Sequence, residues 1–93
     1  MSNATILLPE RFDFSYHANF QEAFQHNLNA KDVDSIVLDF SRVEYIDSAA
    51  LGMMMMWQKR SASSSKKVFI KGARGASAHV LAMANMQRLF EYI

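Results

Sequence analysis

A chain of 93 residues with 51% hydrophobic and 20% charged residues has the composition of one globular domain, residues 1–93, and not of a disordered segment. A net charge of +1 with scattered basic residues gives no electrostatic footprint for nucleic acid, and the absence of cysteine excludes disulfides and thiolate chemistry. The longest apolar run falls far short of the about 20 residues that span a bilayer, and no secretory signal is recognisable, so we expect a cytoplasmic protein without membrane insertion.

The first third of the chain contains a predicted strand, an extended segment and a predicted helix. Thr5–Leu8 is a β-branched and aliphatic run of the kind found in strands. Glu10–Ser15 alternates apolar and polar residues, which indicates an extended segment. We expect Ser15 or Asn19 to cap a helix that continues to about Asn27, because apolar residues recur there at helical spacing.

The rest of the chain alternates strand-like and helix-like segments, with Asn85 as a left-handed stop after the last helix. The predicted segments are Ile36–Phe40 as a central strand, Ala49–Arg60 as a helix, Lys67–Lys71 as a strand, Ala76–Ala84 as a helix, and a helical turn with a short edge strand in 86–93. This alternation predicts an α/β fold, with a mostly parallel four-stranded sheet, right-handed helical crossovers and helices packed on the sheet. The final strand would leave an open sheet edge, so the sequence also allows a homodimer.

No residue pattern predicts catalysis, a metal site or a cofactor. The three histidines lie in different elements, without a second ligand at metal-binding spacing. Gly72 and Gly75 lack the further glycine, lysine and hydroxyl of a phosphate-binding loop. Ser48 stands where a strand turns into a helix, but the glycines that a hydrolase nucleophile needs on either side are replaced by Ile46 and Ala50. We therefore expect a protein that is not an enzyme and needs no cofactor.

Four consecutive methionines, 53–56, lie in the predicted second helix. Four such residues cover about 300° of azimuth, so they cannot all face a sheet. One reading is that most of them belong to the core and at least one points outward. The other is that they form an adaptable interaction face together with Ala49, Ala50 and Met53. The sequence leaves both readings open.

The segment Val37–Gly52, VLDFSRVEYIDSAALG, resembles the signature of the STAS domain. Bacterial anti-sigma factor antagonists share this domain, in which a strand ends in Asp-Ser-Ser-Gly-Leu-Gly or a near variant. Arg11–Phe14 is similar to the first strand-to-helix loop of the family, and Met86–Phe90 is similar to its closing segment. The resemblance covers nearly the whole chain and implies a small STAS fold and a role as an anti-sigma factor antagonist, or anti-anti-sigma factor.

Carried over to this sequence, the resemblance also implies a phosphorylation site. Ser48 would be phosphorylated by a partner kinase, often the anti-sigma factor itself, and a serine phosphatase would reverse the modification. Asp47 would be the acidic neighbour that shapes the site, and Asp13 would lie in the loop beside it. Ala49 and Ala50 stand where Ser and Gly are more usual, which leaves Ser48 as the only hydroxyl at the junction.

Elementary electrostatics predicts what such a site would do. If Ser48 caps the helix, then Ala49, Ala50 and Met53 present a small apolar patch to a partner. Phosphorylation adds about −1.5 to −2 charges, which the fold should tolerate better than a complex does. The unphosphorylated form would then capture an anti-sigma factor or a related regulator. The alternative is a cytoplasmic STAS accessory subunit of a lipid or anion transporter, in which Ser48 would be an interface residue.

Overall fold

The computed structural model describes residues 2–93, along which strands and helices alternate. The strands are β1 (Ser2–Leu7), β2 (Arg11–Phe12), β3 (Val33–Asp39), β4 (Tyr45–Ile46), β5 (Lys67–Lys71) and β6 (Glu91–Tyr92). The helices are α1 (His17–Asn29), α2 (Ser48–Ser63) and α3 (Gly75–Met83), and short 3₁₀ turns cover Phe14–Tyr16 and Met86–Arg88.

Four of the strands form one parallel sheet in the order β1, β3, β5, β6. Leu38 of β3 pairs with Ile6 on one side and with Ile70 on the other, so β3 is an interior strand, as its apolar run predicts. Each neighbouring pair of strands is joined through a helix, which is the connection that parallel strands require. The predicted α/β fold with a mostly parallel four-stranded sheet is confirmed. Strands β2 and β4 form a separate parallel pair.

The three helices share one core on one face of the sheet. Phe24 of α1 stacks on Trp57 of α2, with ring centroids 5.4 Å apart. Leu81 of α3 belongs to the same buried cluster, which also contains Ile36 and Leu38 of β3. Burial of large aromatic side chains is the main stabilising contribution here, and it fixes how α2 is turned about its own axis.

The other face of the sheet is covered by no helix of residues 2–93, because the buried apolar side chains of all three helices belong to the cluster on the Leu38 face. Val37 and Phe69 are neighbours in register and point away from that cluster. Parallel sheets usually have both faces covered. An uncovered face is therefore a feature that calls for an explanation.

The entry into α1 differs from the prediction. Asp13 turns the chain by accepting a hydrogen bond from the backbone amide of Ser15 at 2.9 Å, which caps a 3₁₀ turn. Helix α1 then begins at His17 and is preceded by Tyr16, which makes no side-chain cap. The prediction of a cap at Ser15 or Asn19 is wrong, and the extended part of the segment Glu10–Ser15 is limited to the two residues of β2.

Other boundaries agree more closely with the sequence. Helix α2 runs to Ser63 and thus extends beyond the predicted end at Arg60. Asn85 has φ 58° and follows α3, which confirms the predicted left-handed stop. The 3₁₀ turn Met86–Arg88 and the edge strand β6 follow it, as predicted.

Lys66 closes the carboxyl end of α1. Its Nζ donates hydrogen bonds to the carbonyl oxygens of Asn27 at 2.8 Å, Leu28 at 3.0 Å and Ala30 at 2.8 Å. The last turn of a helix leaves carbonyl groups unpaired and carries a partial negative charge, so an ammonium group stabilises it. This contact ties the end of α1 to the start of β5.

Candidate functional site

Helix α2 begins directly after strand β4, and Asp47 is the residue that turns the chain. Its backbone is extended, with φ −115° and ψ 179°, and its carboxylate accepts a hydrogen bond from the backbone amide of Ala50 at 2.9 Å. Asp47 is therefore the N-cap of α2, which satisfies one of the free amides of the first turn. The expectation that Ser48 caps this helix is wrong, because Asp47 occupies the capping position.

Ser48 is the first residue of α2 and is exposed. Its hydroxyl makes no hydrogen bond to any of residues 2–93, and the amide of Ala50 is bound by Asp47 instead. The amino-terminal end of a helix favours negative charge and carries amides that no carbonyl of the helix can bind. The structure thus presents Ser48 as an accessible hydroxyl in such a position, and its phosphorylation stays a prediction.

Asp13 lies at the same edge of the molecule as Ser48. Strand β2 pairs in parallel with β4, so that Phe12 lies beside Ile46. Continuing this register by one residue brings Asp13 beside Asp47, and the chain then passes from each of them into a helical turn. The backbone therefore places the Asp13 loop next to Ser48, and the role of Asp13 in partner binding stays a prediction.

Three groups hold the carboxylate of Asp13. It accepts hydrogen bonds from the amide of Ser15 at 2.9 Å, from the hydroxyl of Ser15, and from Nε of Arg11 at 2.7 Å. The Ser15 hydroxyl, and after it Arg11, lower the pKa of Asp13 below its ordinary value of 3.8. Because the pKa is lower in the folded chain, the stabilisation from this carboxylate is present above the ordinary pKa and is lost as the pH falls through the folded value. At neutral pH, Asp13 is a fixed negative charge.

Two exposed aromatic side chains flank this loop, and the sequence did not single them out. Phe14 is 62% exposed and stacks on the ring of His17, with centroids 5.0 Å apart. Tyr45 is 45% exposed, and the guanidinium of Arg11 lies 4.3 Å from its ring centroid. The alternating pattern predicts that Phe12 and Phe14 share a face, but the turn between them buries Phe12 and exposes Phe14. Exposed aromatic rings are typical of protein-binding surfaces.

The outward side of α2 carries a second exposed apolar surface. Ser48, Gly52 and Met55 are spaced by four and three residues, so they lie on one side of the helix, and Met56 adjoins them. Met55 is 45% exposed and Met56 is 42% exposed. We call Ser48, Gly52, Met55 and Met56 the α2 outer face. The prediction that the methionine run cannot be wholly buried is confirmed.

The apolar patch expected from Ala49, Ala50 and Met53 is not the surface that the structure exposes. Ala50 is fully buried, and Met53 is 8% exposed and belongs to the core cluster. Ala49 is half-buried. The expected exposure of Ala50 and Met53 is wrong, because both lie on the side of α2 that Trp57 turns toward the sheet.

Within residues 2–93, no group of three or more His, Cys, Asp or Glu side chains is arranged to hold a metal ion. None of the helices in this part of the chain has the length and apolar character needed to cross a membrane. The chemistry of the site therefore consists of an accessible hydroxyl, two fixed carboxylates and an exposed surface of aromatic rings and thioethers.

One parallel sheet with three helices on a single face defines the chain as a small α/β domain. The family model described as "Mlab, STAS domain" matches residues 2–91, and the chain belongs to the STAS domain family. A STAS-domain containing protein of Pseudomonas aeruginosa, strain UCBPP-PA14, is 28% identical over 87 residues, which are 94% of this chain and 84% of that protein.

Solved structures share the fold. The NMR structure of the protein TM1081 is 24% identical with a TM-score of 0.83, and the match covers 98% of this chain and 73% of that one. A crystal structure of TM1081 from Thermotoga maritima, described as a candidate anti-sigma factor antagonist, is 25% identical with a TM-score of 0.80 and covers 95% and 77%. A sulfate transporter family protein of Wolinella succinogenes is 13% identical, with a TM-score of 0.79 and coverage of 98% and 78%, and shows likeness of fold alone.

Proposed function

We propose that this chain is a phosphorylation-controlled binding switch of the anti-sigma factor antagonist type. The unphosphorylated chain binds an anti-sigma factor or a related regulator, and phosphorylation of Ser48 by a serine kinase releases it until a serine phosphatase restores the hydroxyl. The observation that carries the proposal is the exposed hydroxyl of Ser48 between two carboxylates and an exposed apolar surface. The likeness to the Thermotoga maritima protein supports the choice of partner.

The contact surface in this proposal is the α2 outer face together with the Asp13 loop. Asp13 and Asp47 are both held by hydrogen bonds, so a partner meets charges that are already fixed in place. Met55 and Met56 supply flexible thioethers that can adapt to a partner. Ordered polar groups beside an apolar area of this kind give specificity and contact area without a large ordering cost.

A phosphate on Ser48 would change this surface without opposing the fold. The amino-terminal end of α2 would stabilise the negative charge by about 0.3 to 1 kcal/mol. The phosphate would nonetheless add about −1.5 to −2 charges beside the carboxylates of Asp47 and Asp13. Arg11, the basic side chain of this loop, is already bound to Asp13 at 2.7 Å. The modified surface would therefore be strongly acidic and hard to desolvate.

Gly52 provides separate support for a partner on this helix. It is exposed, and a Cβ added there would meet no atom within 4 Å, so packing inside the chain does not require glycine. A glycine inside a helix costs about 1 kcal/mol relative to alanine. A partner seated on the α2 outer face would use the space above Gly52 for a close approach.

The substitution Gly52→Ala tests this interpretation. We expect it to raise the free energy of unfolding by about 0.5–1 kcal/mol and to weaken binding of the regulator about tenfold, since a methyl group inserted into a packed contact costs about 1–3 kcal/mol. Chemical denaturation and titration calorimetry measure the two effects. Ser63→Ala, at the far end of α2, is the control and should leave binding unchanged. Undiminished binding by Gly52→Ala would remove Gly52 from the interface.

The proposed function is tested in the native cell by peptide mapping and by capture. Mapping should place the phosphate on Ser48 and not in the serine run 61–65. An immobilised Ser48→Ala chain should retain a regulator with a serine-kinase fold that Ser48→Asp does not retain. Unmodified Ser48 under every growth condition, together with equal capture by the two variants, would contradict the switch.

A second candidate function is an accessory subunit of a lipid or anion transporter. The fold likeness to a sulfate transporter family protein is the observation in its favour, at 13% identity. The α2 outer face would then dock permanently on a nucleotide-binding subunit. The same capture experiment would recover an ATPase, either with both variants or with Ser48→Ala alone. Peptide mapping would find no phosphate on Ser48. Either role would place the chain in the cytoplasm.

A further inference from the structure

The uncovered face of the sheet carries an ordered pattern of charged and apolar side chains. Alternation along the strands puts Val37 and Asp39 of β3 on this face, beside Phe69 and Lys71 of β5. Val37 thus pairs with Phe69 in one row, and Asp39 pairs with Lys71 in the next row. We call these residues, with their neighbours on β1, the open sheet face. None of its apolar members belongs to the cluster that the helices cover, and because Val37 is only 4% exposed, the accessible apolar area of the face comes mostly from Phe69 and Leu7.

Asp39 and Lys71 are neighbouring charges of this face, which also carries Lys67 and Glu91, and they attract each other within the chain. Lys71 is exposed and takes part in no salt bridge within residues 2–93. One carboxylate oxygen of Asp39 accepts a hydrogen bond from the backbone amide of Ser41 at 2.9 Å. The Ser41 amide, and then its hydroxyl, lower the pKa of Asp39, so this carboxylate is ionised at neutral pH.

We propose that the open sheet face binds the same face of a second copy of this chain, about a two-fold axis that runs parallel to the strands between β3 and β5. This axis places β3 of one subunit against β5 of the other and keeps the rows aligned. Val37 then meets Phe69 of the partner subunit, and Asp39 meets Lys71 of the partner subunit. Each contact occurs twice, as a two-fold axis requires.

The charges on the face favour this axis over a two-fold axis that runs across the strands. A two-fold axis across the strands would place β5 against itself in the opposite direction, which brings Lys67 against Lys71 of the partner subunit. Like charges in direct contact oppose such a dimer. Sheets that pack face to face keep their strands within about 30° of each other, which the axis parallel to the strands allows.

The size of the face limits the strength of the dimer. Four strands spaced about 4.8 Å apart, with lengths of up to about 20 Å, offer on the order of 400 Å² per subunit. Stable interfaces bury about 800 Å² per partner. We therefore expect a weak, concentration-dependent dimer with a dissociation constant of about 0.1–1 mM. It uses the face of the sheet and leaves the unpaired backbone edges of β1 and β6 and the α2 outer face free.

The test reverses the charge on β3 or on β5 and measures self-association by sedimentation equilibrium and by NMR titration up to about 1 mM. Lys71→Glu and Asp39→Lys should each weaken self-association about tenfold or more, because each replaces two attractive contacts by two repulsive ones. A mixture of the two variants should restore association, since both charged contacts between the subunits of the mixed dimer again join opposite charges. Lys59→Glu makes the same change of net charge on the exposed side of α2, away from the open sheet face, and should leave the dimer intact.

When unlabelled Asp39→Lys is added to labelled Lys71→Glu, the chemical-shift changes should centre on Val37 and Phe69. Restored association in this mixture also shows that both variants are folded. Three results would each overturn the proposal. These are a natural chain that stays monomeric at about 1 mM, self-association that Lys71→Glu leaves unchanged, and a mixture that fails to associate.

Discussion

Replacing Ser48 by aspartate is expected to weaken binding of the regulator about a hundredfold relative to Ser48→Ala. Burying a charge at an interface without a basic partner costs several kcal/mol, and each 1.4 kcal/mol is a factor of ten in affinity. Among residues 2–93, the basic side chain of the adjacent Asp13 loop is Arg11, and it is already bound to Asp13. The carboxylate of Asp47, which caps α2, adds repulsion on the same side. Titration calorimetry with the purified regulator measures the difference, and the enzymatically phosphorylated chain should show at least the same loss.

Controls separate lost binding from lost folding. Aspartate at the first position of a helix is favourable, so we expect Ser48→Asp to unfold at the same denaturant concentration as the natural chain or to be up to about 1 kcal/mol more stable. Ser64→Asp makes the same change of charge at the other end of α2, about 24 Å away, and should bind normally. Equal affinities for Ser48→Asp and Ser48→Ala would contradict the switch.

The elements of the main sheet could be predicted because their patterns are local. The apolar run Ile36–Phe40 and the segment Lys67–Lys71 have the composition and length of buried strands, and both form neighbouring strands of the sheet. Asn85 could be identified because asparagine tolerates the left-handed conformation that ends a helix. The sequence places a strand before Ser48 without giving its bounds, because the two residues of β4 pair with β2 and that pairing leaves no local sequence pattern.

The sequence places Asp47 and Ser48 at the start of a helix, as in the structure, but it does not give the local geometry there. Asp47 and Ser48 are both good N-cap residues, so the sequence cannot decide between them. Which of the two residues caps the helix depends on where β4 ends. In the structure, Asp47 is still extended and Ser48 is already helical. The turn at Asp13 is a similar case, since an alternating pattern continues through it and the hydrogen bond to Ser15 alone ends the strand.

The rotation of α2 about its axis also lies beyond local sequence patterns. Ala50 and Met53 were expected at the surface, whereas Met55 and Met56 are there. Four consecutive methionines have the same hydrophobicity, so they do not reveal which side of the helix faces the sheet. Trp57 decides the rotation, because it stacks on Phe24 of α1 and is buried almost completely.

This rotation leads to a matched pair of substitutions, Met54→Ala and Met56→Ala, that should have opposite effects. Met54 is fully buried, so its truncation should lower the free energy of unfolding by about 2–5 kcal/mol through lost burial and a residual cavity. Met56 is 42% exposed, so its truncation should change stability by less than about 0.5 kcal/mol. A domain of this size is stable by only about 5–14 kcal/mol, so the first loss is a large part of the total.

Binding should show the reverse order. Met56→Ala should weaken binding of the regulator about tenfold, because exposed thioethers on the α2 outer face would be contact residues. The double substitution with Met55→Ala should weaken this binding further. Met54→Ala should bind normally at a temperature where it is folded, since its side chain touches no partner in the proposed interface. Guanidinium unfolding and calorimetry on the same preparations measure both quantities. Normal binding by the Met55→Ala, Met56→Ala chain would place the regulator elsewhere, and the exposed methionines would then need an explanation other than contact with it.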